Sequence, residues 1–275
     1  MRVFVTGATG WVGSRVVKEL LDAGHQVLGL SRSEEKAARL AQAGAQVLRA
    51  TLDDLDQLAD AASGSDAVIH TAFNHDFSTF ADNARQDQRA IEALGEALAG
   101  TDKPLLVTSG VALLAPGRVA TETDLPPTSH ADYPRRSEAA AIALAQRGLR
   151  AAAVRLAPSV HGVGDHGFIP ILIGLARQTG VSAYIGEGVN RWPAVHVSDA
   201  SRLYRLALES GVTEPVYHAI AEEGIAMRDI AQAIGKRLGV PVESRDRAHF
   251  GWFAAFAGAD MPAASRHTRD VLDWR

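Results

Sequence analysis

Val3-Phe4-Val5-Thr6-Gly7-Ala8-Thr9-Gly10-Trp11-Val12-Gly13 is the stretch that decides the fold. Val3, Phe4 and Val5 form a short apolar run that ends in a glycine cluster, the pattern of a buried strand. Trp11 and Val12 then open a segment whose apolar residues Val16, Val17, Leu20 and Leu21 recur at helical spacing. The order is strand, tight turn, helix. Gly7, Gly10 and Gly13 occupy the turn and the first helical turn, where a β-carbon blocks approach of a ligand to the backbone or of the helix to the strand. Amides exposed there, with the helix dipole behind them, suit a pyrophosphate, and Thr9, Trp11 and Val12 share that contact. A glycine-rich turn without a ligand is the competing reading, and the flanking strand and helix weigh against it.

The pattern repeats down the chain. Apolar runs at 26–30, 46–48, 66–70, 104–110 and 149–156 alternate with helical segments at 34–43, 55–62, 80–99 and from Ser137 onward. Strands alternating with helices imply an α/β fold with a doubly wound parallel sheet. The chain has 275 residues, enough for such a domain and a smaller appended one. It has no cysteine, which removes disulfides, thiolate metal sites and cysteine nucleophiles together. No histidine pair stands at metal-ligand spacing on a helical segment, so no metal is expected. The net charge of −4, without a basic stripe, argues against nucleic acid as a partner. Without a long apolar run or a charged-then-apolar leader, a soluble, cytoplasmic protein with no membrane partner is expected.

The residue types at the end of the second strand select among nucleotides. A carboxylate there holds a ribose diol, whereas a 2′-phosphate calls for a cation and hydroxyl donors. Ser31-Arg32-Ser33 supplies the second set, which favours NADP (NADPH) over NAD. Arg32 stacking on an adenine or pointing into solvent is the alternative.

The spacing Thr6-Gly7-x-x-Gly10-x-x-Gly13 resembles the fingerprint of the extended short-chain dehydrogenases/reductases, an NAD(P)-dependent epimerase/dehydratase-like group, and the likeness extends over most of the chain. The resemblance implies a Rossmann domain over residues 1–160, to which 195–212 return, and a smaller C-terminal substrate lobe from 161–194 and 213–275. It places Leu52-Asp53 near an adenine, although Asp53 fits a helix N-cap equally well. It runs the turn Thr71-Ala72-Phe73 past the ribose and nicotinamide, with Phe73 larger than the small residues usual there. Asn74 and His75 follow, outside the carboxyl end of a strand. His75 is a candidate acid/base or substrate contact, or an exposed loop histidine.

In the resembled family the fifth strand ends in a Ser or Thr that binds the substrate oxygen, which Thr108-Ser109 match. A Tyr-x-x-x-Lys should follow, with tyrosine as proton donor and lysine lowering its pKa. This chain instead reads Tyr133-Pro134-Arg135-Arg136-Ser137-Glu138, and the lysine is missing in either alignment. The segment resembles atypical subgroups that keep the glycines and lack the usual active-site residues. Arg135 or Arg136 can replace the charge, not the proton relay. Arg155-Leu156-Ala157-Pro158-Ser159-Val160-His161-Gly162 resembles the strand end that meets the nicotinamide amide. It brings in Pro158 as a cofactor contact and His161 as a candidate catalytic residue or a turn histidine. His166, Asn190, Arg191 and Trp192 are candidate pocket residues, whereas His196 and Asp199 read as structural.

The resulting expectation is an NADP-dependent oxidoreductase that moves hydride to or from a carbonyl, alcohol or imine of a small to medium organic molecule. Ser109 orients the oxygen, and Tyr133, His75 or His161 supplies the proton. An epimerase or isomerase with tightly held nucleotide, and a catalytically silent NADP(H) sensor, are the alternatives. A homodimer through the helix at 80–99 is expected, although burial of its Ala84, Ile91, Leu94 and Leu98 face against the sheet gives the same pattern.

Overall fold

The computed structural model describes residues 1–126 and 134–275. In chain order the elements are β1 (Arg2–Thr6), α1 (Trp11–Asp22), β2 (Gln26–Leu30), α2 (Glu34–Gln42), β3 (Gln46–Leu48), α3 (Leu55–Ser63), β4 (Ala67–His70), α4 (Phe80–Leu98), β5 (Leu105–Gly110), α5 (Ser137–Gln146) and β6 (Ala151–Leu156). There follow β7 (Ser159–His161), α6 (Phe168–Thr179), β8 (Ser182–Ile185), β9 (Arg191–His196), α7 (Val197–Glu209), β10 (Val216–Ala219), β11 (Glu222–Ala226), α8 (Met227–Leu238), β12 (Val242–Arg245), α9 (Ala254–Ala257) and α10 (Arg266–Leu272). Seven strands form one parallel sheet in the order β10-β6-β5-β4-β1-β2-β3. This is the doubly wound Rossmann arrangement that the alternating elements imply.

The two-residue period of each strand sorts its side chains between two apolar layers. Val3, Val5, Ala67, Ile69, Leu106, Ala152 and Val154 face one layer, with Val16, Leu20, Leu203 and Tyr204 from α1 and α7. Phe4, Val68, Leu105, Val107 and Ala151 face the other, with Leu58, Ile91, Leu94 and Leu144 from α3, α4 and α5. The apolar stripe of α4 is thus buried within the chain. Gly95 lies so close to Leu144 that a β-carbon there would stand 2.5 Å from its methyl groups, and α4 and α5 pack at that short distance.

The smaller lobe has its own core of Leu172, Trp192, Met227, Ile234, Phe250 and Phe253. It holds two small sheets, β11-β9-β7 and β12-β8. The glycine turn after β8 does not fold into a hairpin, as the alternation at 181–188 suggests. β8 instead pairs in parallel with β12, brought alongside by α8. The boundary at 213 also moves. β10 is the edge strand of the main sheet, and α10 with Trp274 belongs to the main core, where the Trp274 indole donates to Asp199 O (2.9 Å).

A buried ionic cluster secures that edge. The Arg155 guanidinium of β6 donates from Nε to the Glu138 carboxylate of α5 (3.0 and 2.9 Å), and both side chains are almost wholly buried. Arg155 Nη1 also meets His218 Nε2 (3.0 Å), while His218 Nδ1 meets Ala264 O (2.7 Å). A guanidinium only donates and a carbonyl only accepts, so His218 is neutral with its proton on Nδ1. Burial, the largest cause, pushes its pKa below the ordinary imidazole value, and Arg155 adds to the effect.

Glu138→Ala should leave Arg155 buried without its carboxylate and lower stability by about 3–5 kcal/mol, read from urea unfolding. His218 resists protonation in the fold, whereas the unfolded chain takes up the proton near pH 6.5. Its contribution should therefore be intact above about pH 6.5 and fade as pH falls below it. His218→Gln should flatten that part of the stability profile.

Candidate active site

The chain's first turn is built by steric exclusion. Gly7 has φ of 66°, and a β-carbon on it would lie 2.6 Å from Ala72 N and 2.7 Å from Thr71 Oγ1. A β-carbon on Gly13 would lie 2.1 Å from Gly7 O and 2.6 Å from Thr71 Oγ1. Only glycine lets α1 and the 71–72 turn close on the end of β1, where Thr71 Oγ1 donates to Thr6 O (2.7 Å). At Gly10 an added β-carbon meets nothing nearer than Gly7 O at 3.2 Å. Gly10 is the N-cap of α1 and brings no side-chain cap, and no acidic residue stands in the first helical turn. Open amides at a positive helix end fit a pyrophosphate.

Neighbouring cofactor candidates are placed unevenly. Trp11 turns its indole away, donating from Nε1 to Val160 O of β7 (2.7 Å), so only its amide remains for the turn. At the end of β2, Ser31 is buried and its hydroxyl already donates to Ser33 O (3.1 Å), which removes it as a phosphate donor. Arg32 is exposed and Ser33 half-buried beside it, with no carboxylate paired to Arg32 among the described residues. Asp53 is not the cap of α3. Asp54 takes that place and accepts from Thr51 N and Oγ1 (2.7 Å each), while Asp53 accepts from Gln86 Nε2 (2.6 Å) and Arg89 Nη2 (3.3 Å) of α4.

The reacting end gathers at the carboxyl ends of β4, β5 and β6. Thr108 turns inward. Its hydroxyl donates to His70 O (2.8 Å) and therefore accepts from Tyr204 OH (2.7 Å), a phenol whose pKa burial raises far out of reach. Ser109 makes no side-chain hydrogen bond among the described residues, and Pro158 lies between β6 and β7 at the same end of the sheet. Tyr133 lies outside the described residues.

Beneath this end runs a buried polar chain. Thr6 Oγ1 meets His70 Nδ1 (2.9 Å), His70 Nε2 meets Asp87 Oδ1 (2.9 Å), and Ser137 Oγ donates to Asp87 Oδ2 (2.5 Å). Ser137 accepts in turn from Arg135 Nε (3.0 Å) and so does not cap α5. Arg135 Nη2 donates to Thr108 O (3.0 Å), and the guanidinium lies over the Phe73 ring at 4.5 Å. The cation at the mouth of the fifth strand is therefore an arginine. Of the two residues that stand at the lysine position in one alignment or the other, Ser137 is bonded to Asp87 and Arg135, and Glu138 is held by Arg155. Composition and motif gave no sign of His70 and Asp87. The available signal was one carboxylate on the apolar face of α4, between Ala84 and Ile91.

His75 stands at the mouth, its ring 5.2 Å from Phe73 and 6.4 Å from Phe77. Desolvation against those rings, then the Arg135 charge, lower its pKa, so it is neutral at neutral pH. His161 meets His196 edge-on at 5.5 Å, and His196 caps α7 by accepting from Ser198 N (3.2 Å). His166 meets Trp11 edge-on at 5.8 Å.

Four pocket candidates have other work. Asn74 Nδ2 donates to Asn83 Oδ1 of α4 (3.1 Å), and its Oδ1 accepts from Asp76 N of its own loop (3.2 Å). Asn190 Nδ2 donates to Ala257 O and Ala259 O, Arg191 is bidentate to Asp260, and Trp192 is fully buried between Phe168 and Phe253. These last three fasten β9 to the C-terminal segment and do not line a pocket.

A parallel Rossmann sheet with this glycine turn defines a nucleotide-dependent enzyme class, and the family comparison agrees. Residues 3–220 match the model of the NAD dependent epimerase/dehydratase family, and the chain belongs to that family. It is of the extended short-chain dehydrogenase/reductase type. It is 48% identical to an uncharacterized protein of Schizosaccharomyces pombe, over all of this chain and 95% of that one. It is 28% identical to a 4-hydroxy-2-methyl-3-oxo-4-farnesyl-3,4-dihydroquinoline-1-oxide ketoreductase of Stigmatella aurantiaca, over 96% of this chain and 84% of that one. Among solved structures it superposes on dTDP-glucose 4,6-dehydratase from Streptomyces venezuelae with TM-score 0.80 and 21% identity, covering 100% of this chain and 92% of that one. No helix among the described residues is long and apolar enough to cross a membrane.

The two glycines that flank the turn differently give a direct check. Gly13→Ala should lower stability by about 1–3 kcal/mol, because the clash is with backbone. Gly10→Ala should stay within about 1 kcal/mol of wild type, yet weaken nucleotide binding in calorimetry by placing a methyl on the open face. Equal effects of the two on binding and stability would count against the cradle.

Proposed function

We propose that the protein is an NADP-dependent oxidoreductase acting on a carbonyl or alcohol of an organic molecule. The observation that carries this reading is the uncapped glycine cradle at β1 and α1, followed at the same sheet edge by Ser109 and the Arg135 guanidinium. The nicotinamide nucleotide, when bound, supplies or accepts the hydride. The amides of residues 11–13 would hold its pyrophosphate, the Gly10 amide being engaged by Gly7 O (2.8 Å), and Arg32 with Ser33 would meet a 2′-phosphate. Membership of an NAD-dependent family and likeness to a ketoreductase support the reaction type.

The chain's own groups divide the remaining tasks. Ser109 holds the substrate oxygen. Arg135 lies close enough to the end of β5 to favour negative charge growing on that oxygen during reduction, a stabilisation that is largest where water is excluded. Asp87, through Ser137, fixes the direction of the guanidinium. His75, neutral and next to the mouth, accepts a proton in the oxidative direction. Tyr133 and His161 remain candidates for the same task. A homodimer belongs to the same reading: the outer groove between α4 and α5, floored by Ala93, Ala140 and Ala143, is the surface that supports it.

A panel of ketones, aldehydes and imines with NADPH, followed by loss of nucleotide absorbance, tests the reading. Turnover of none of them would overturn it. Arg32→Ala should raise the NADPH dissociation constant at least about tenfold while leaving NADH binding unchanged. Arg135→Gln should lower kcat with little change in NADPH affinity, and Arg135→Lys should restore part of it.

A further inference from the structure

One wall of the crevice is made of aromatic rings from both halves of the molecule. Phe77 sits on the 3-10 turn Phe77–Thr79 that precedes α4, on the Rossmann side. Phe168 opens α6, while Trp252 and Phe256 come from the 3-10 segment Arg247–Phe253 and α9 of the lobe. The Phe77 ring centroid lies 5.5 Å from Trp252, 6.2 Å from Phe256 and 6.4 Å from Phe168. Phe168 and Phe256 are 4.7 Å apart. The rings continue inward from Phe77 to Phe80 (5.4 Å) and from Phe80 to Phe73 (5.7 Å), the residue that carries the Arg135 guanidinium. A continuous apolar track therefore leads from the lobe's surface to the charged end of the site.

This track is only partly covered. Phe77, Phe168 and Phe256 are half-buried, and Trp252 is 63% exposed. Interior aromatics of this protein, such as Trp192 and Phe253, are closed off completely. Ring faces left open along a track that ends at the Arg135 guanidinium are suited to a flat apolar molecule, since offset and edge-on ring contacts add to the gain from area removed from water. A phosphorylated substrate would lose hydration against the ring faces of such a wall. Two arginines of the lobe are committed elsewhere: Arg191 to Asp260, and Arg228 to Glu187 and the Tyr184 face.

We propose that the substrate is an unphosphorylated, flat, aromatic or fused-ring carbonyl compound whose body stacks on Phe77 and Trp252, with its oxygen directed toward Ser109 and Arg135. The reacting group rests on the oxidoreductase reading; the apolar subsite does not. Reduction places one hydride on the carbonyl carbon and one proton on its oxygen, giving the alcohol, with NADPH oxidised to NADP⁺ as the two-electron donor.

Calorimetry on the NADP⁺-loaded protein, with 2-acetylnaphthalene and UDP-glucose as probes, tests the subsite without turnover. The naphthyl ketone should bind with a negative heat-capacity change, and UDP-glucose should not bind. Phe77→Ala combined with Trp252→Ala should weaken the ketone about tenfold and leave NADPH binding unchanged, which also reports that the variant is folded. Trp252→Phe should retain most of the affinity. Tighter binding of UDP-glucose, or unchanged ketone binding in the double variant, would overturn the proposal. Ketone binding that depends on the wall, with no carbonyl reduced by NADPH, would leave the subsite standing and remove the oxidoreductase reading. Reduction of small aliphatic ketones with no dependence on Phe77 and Trp252 would do the reverse.

Discussion

Two missing β-carbons hold the architecture of the site. Gly7 and Gly13 let the carbonyl of one, the first turn of α1 and the Thr71 hydroxyl occupy a volume in which any other residue would overlap backbone. Backbone overlap is not relieved by rotating a side chain, so the constraint is absolute at these positions and mild at Gly10. The consequences reach well past the turn. Because α1 sits this low on β1, the 71–73 turn is pinned to Thr6, Phe73 projects at a fixed height, and Arg135 has a ring to lie on. The closing of the glycine turn and the placing of the cation are two ends of one packing arrangement.

The second organising feature is a pair of buried carboxylates on helices that otherwise present apolar faces. Asp87 of α4 is satisfied on both oxygens, by His70 and Ser137, and Glu138 of α5 is satisfied by Arg155. Buried charge is tolerated only when paired and hydrogen-bonded, and each of these is. Adjacent residues of α5 therefore serve opposite sides: Ser137 looks toward the site through Arg135, and Glu138 looks toward the sheet edge at β6 and β10. Glu138 thus serves the fixing of β10 and not the reacting end, and the positive charge at the mouth comes from Arg135, three places earlier.

Most of the fold was legible because it depends on short-range patterns. The glycine spacing and the apolar runs at 3–5, 66–70 and 104–110 carry their own geometry, as does the helical repeat of α4. The position of β10 was not legible, since Val216-Tyr217-His218-Ala219 reads as a strand without saying which sheet it joins. That is decided by the distant Arg155 and Ala264, which His218 bridges. The pairing of β8 with β12 is hidden for the same reason. In the site, the position of a hydroxyl's single proton is a three-dimensional fact: Ser31 and Thr108 look available in the sequence and are engaged in the fold, whereas Ser109 has no side-chain partner among the described residues. Trp192 shows the converse difficulty, an aromatic in an irregular segment that reads equally as pocket or core.

The charges at the mouth also constrain how a proton moves. Desolvation first, and then the charge of Arg135, lower the pKa of His75 and favour its unprotonated form. A neutral imidazole is a base rather than an acid, so in the proposed reaction His75 would suit the removal of an alcohol proton better than early donation to a carbonyl. In the proposed reduction the guanidinium would stabilise the oxyanion first, and protonation would follow. On that proposal the site would depend less on a proton donor with a matched pKa than on the charge held beside the oxygen, which accords with a chain that carries Ser137 and Glu138, and no lysine, where the resemblance calls for one.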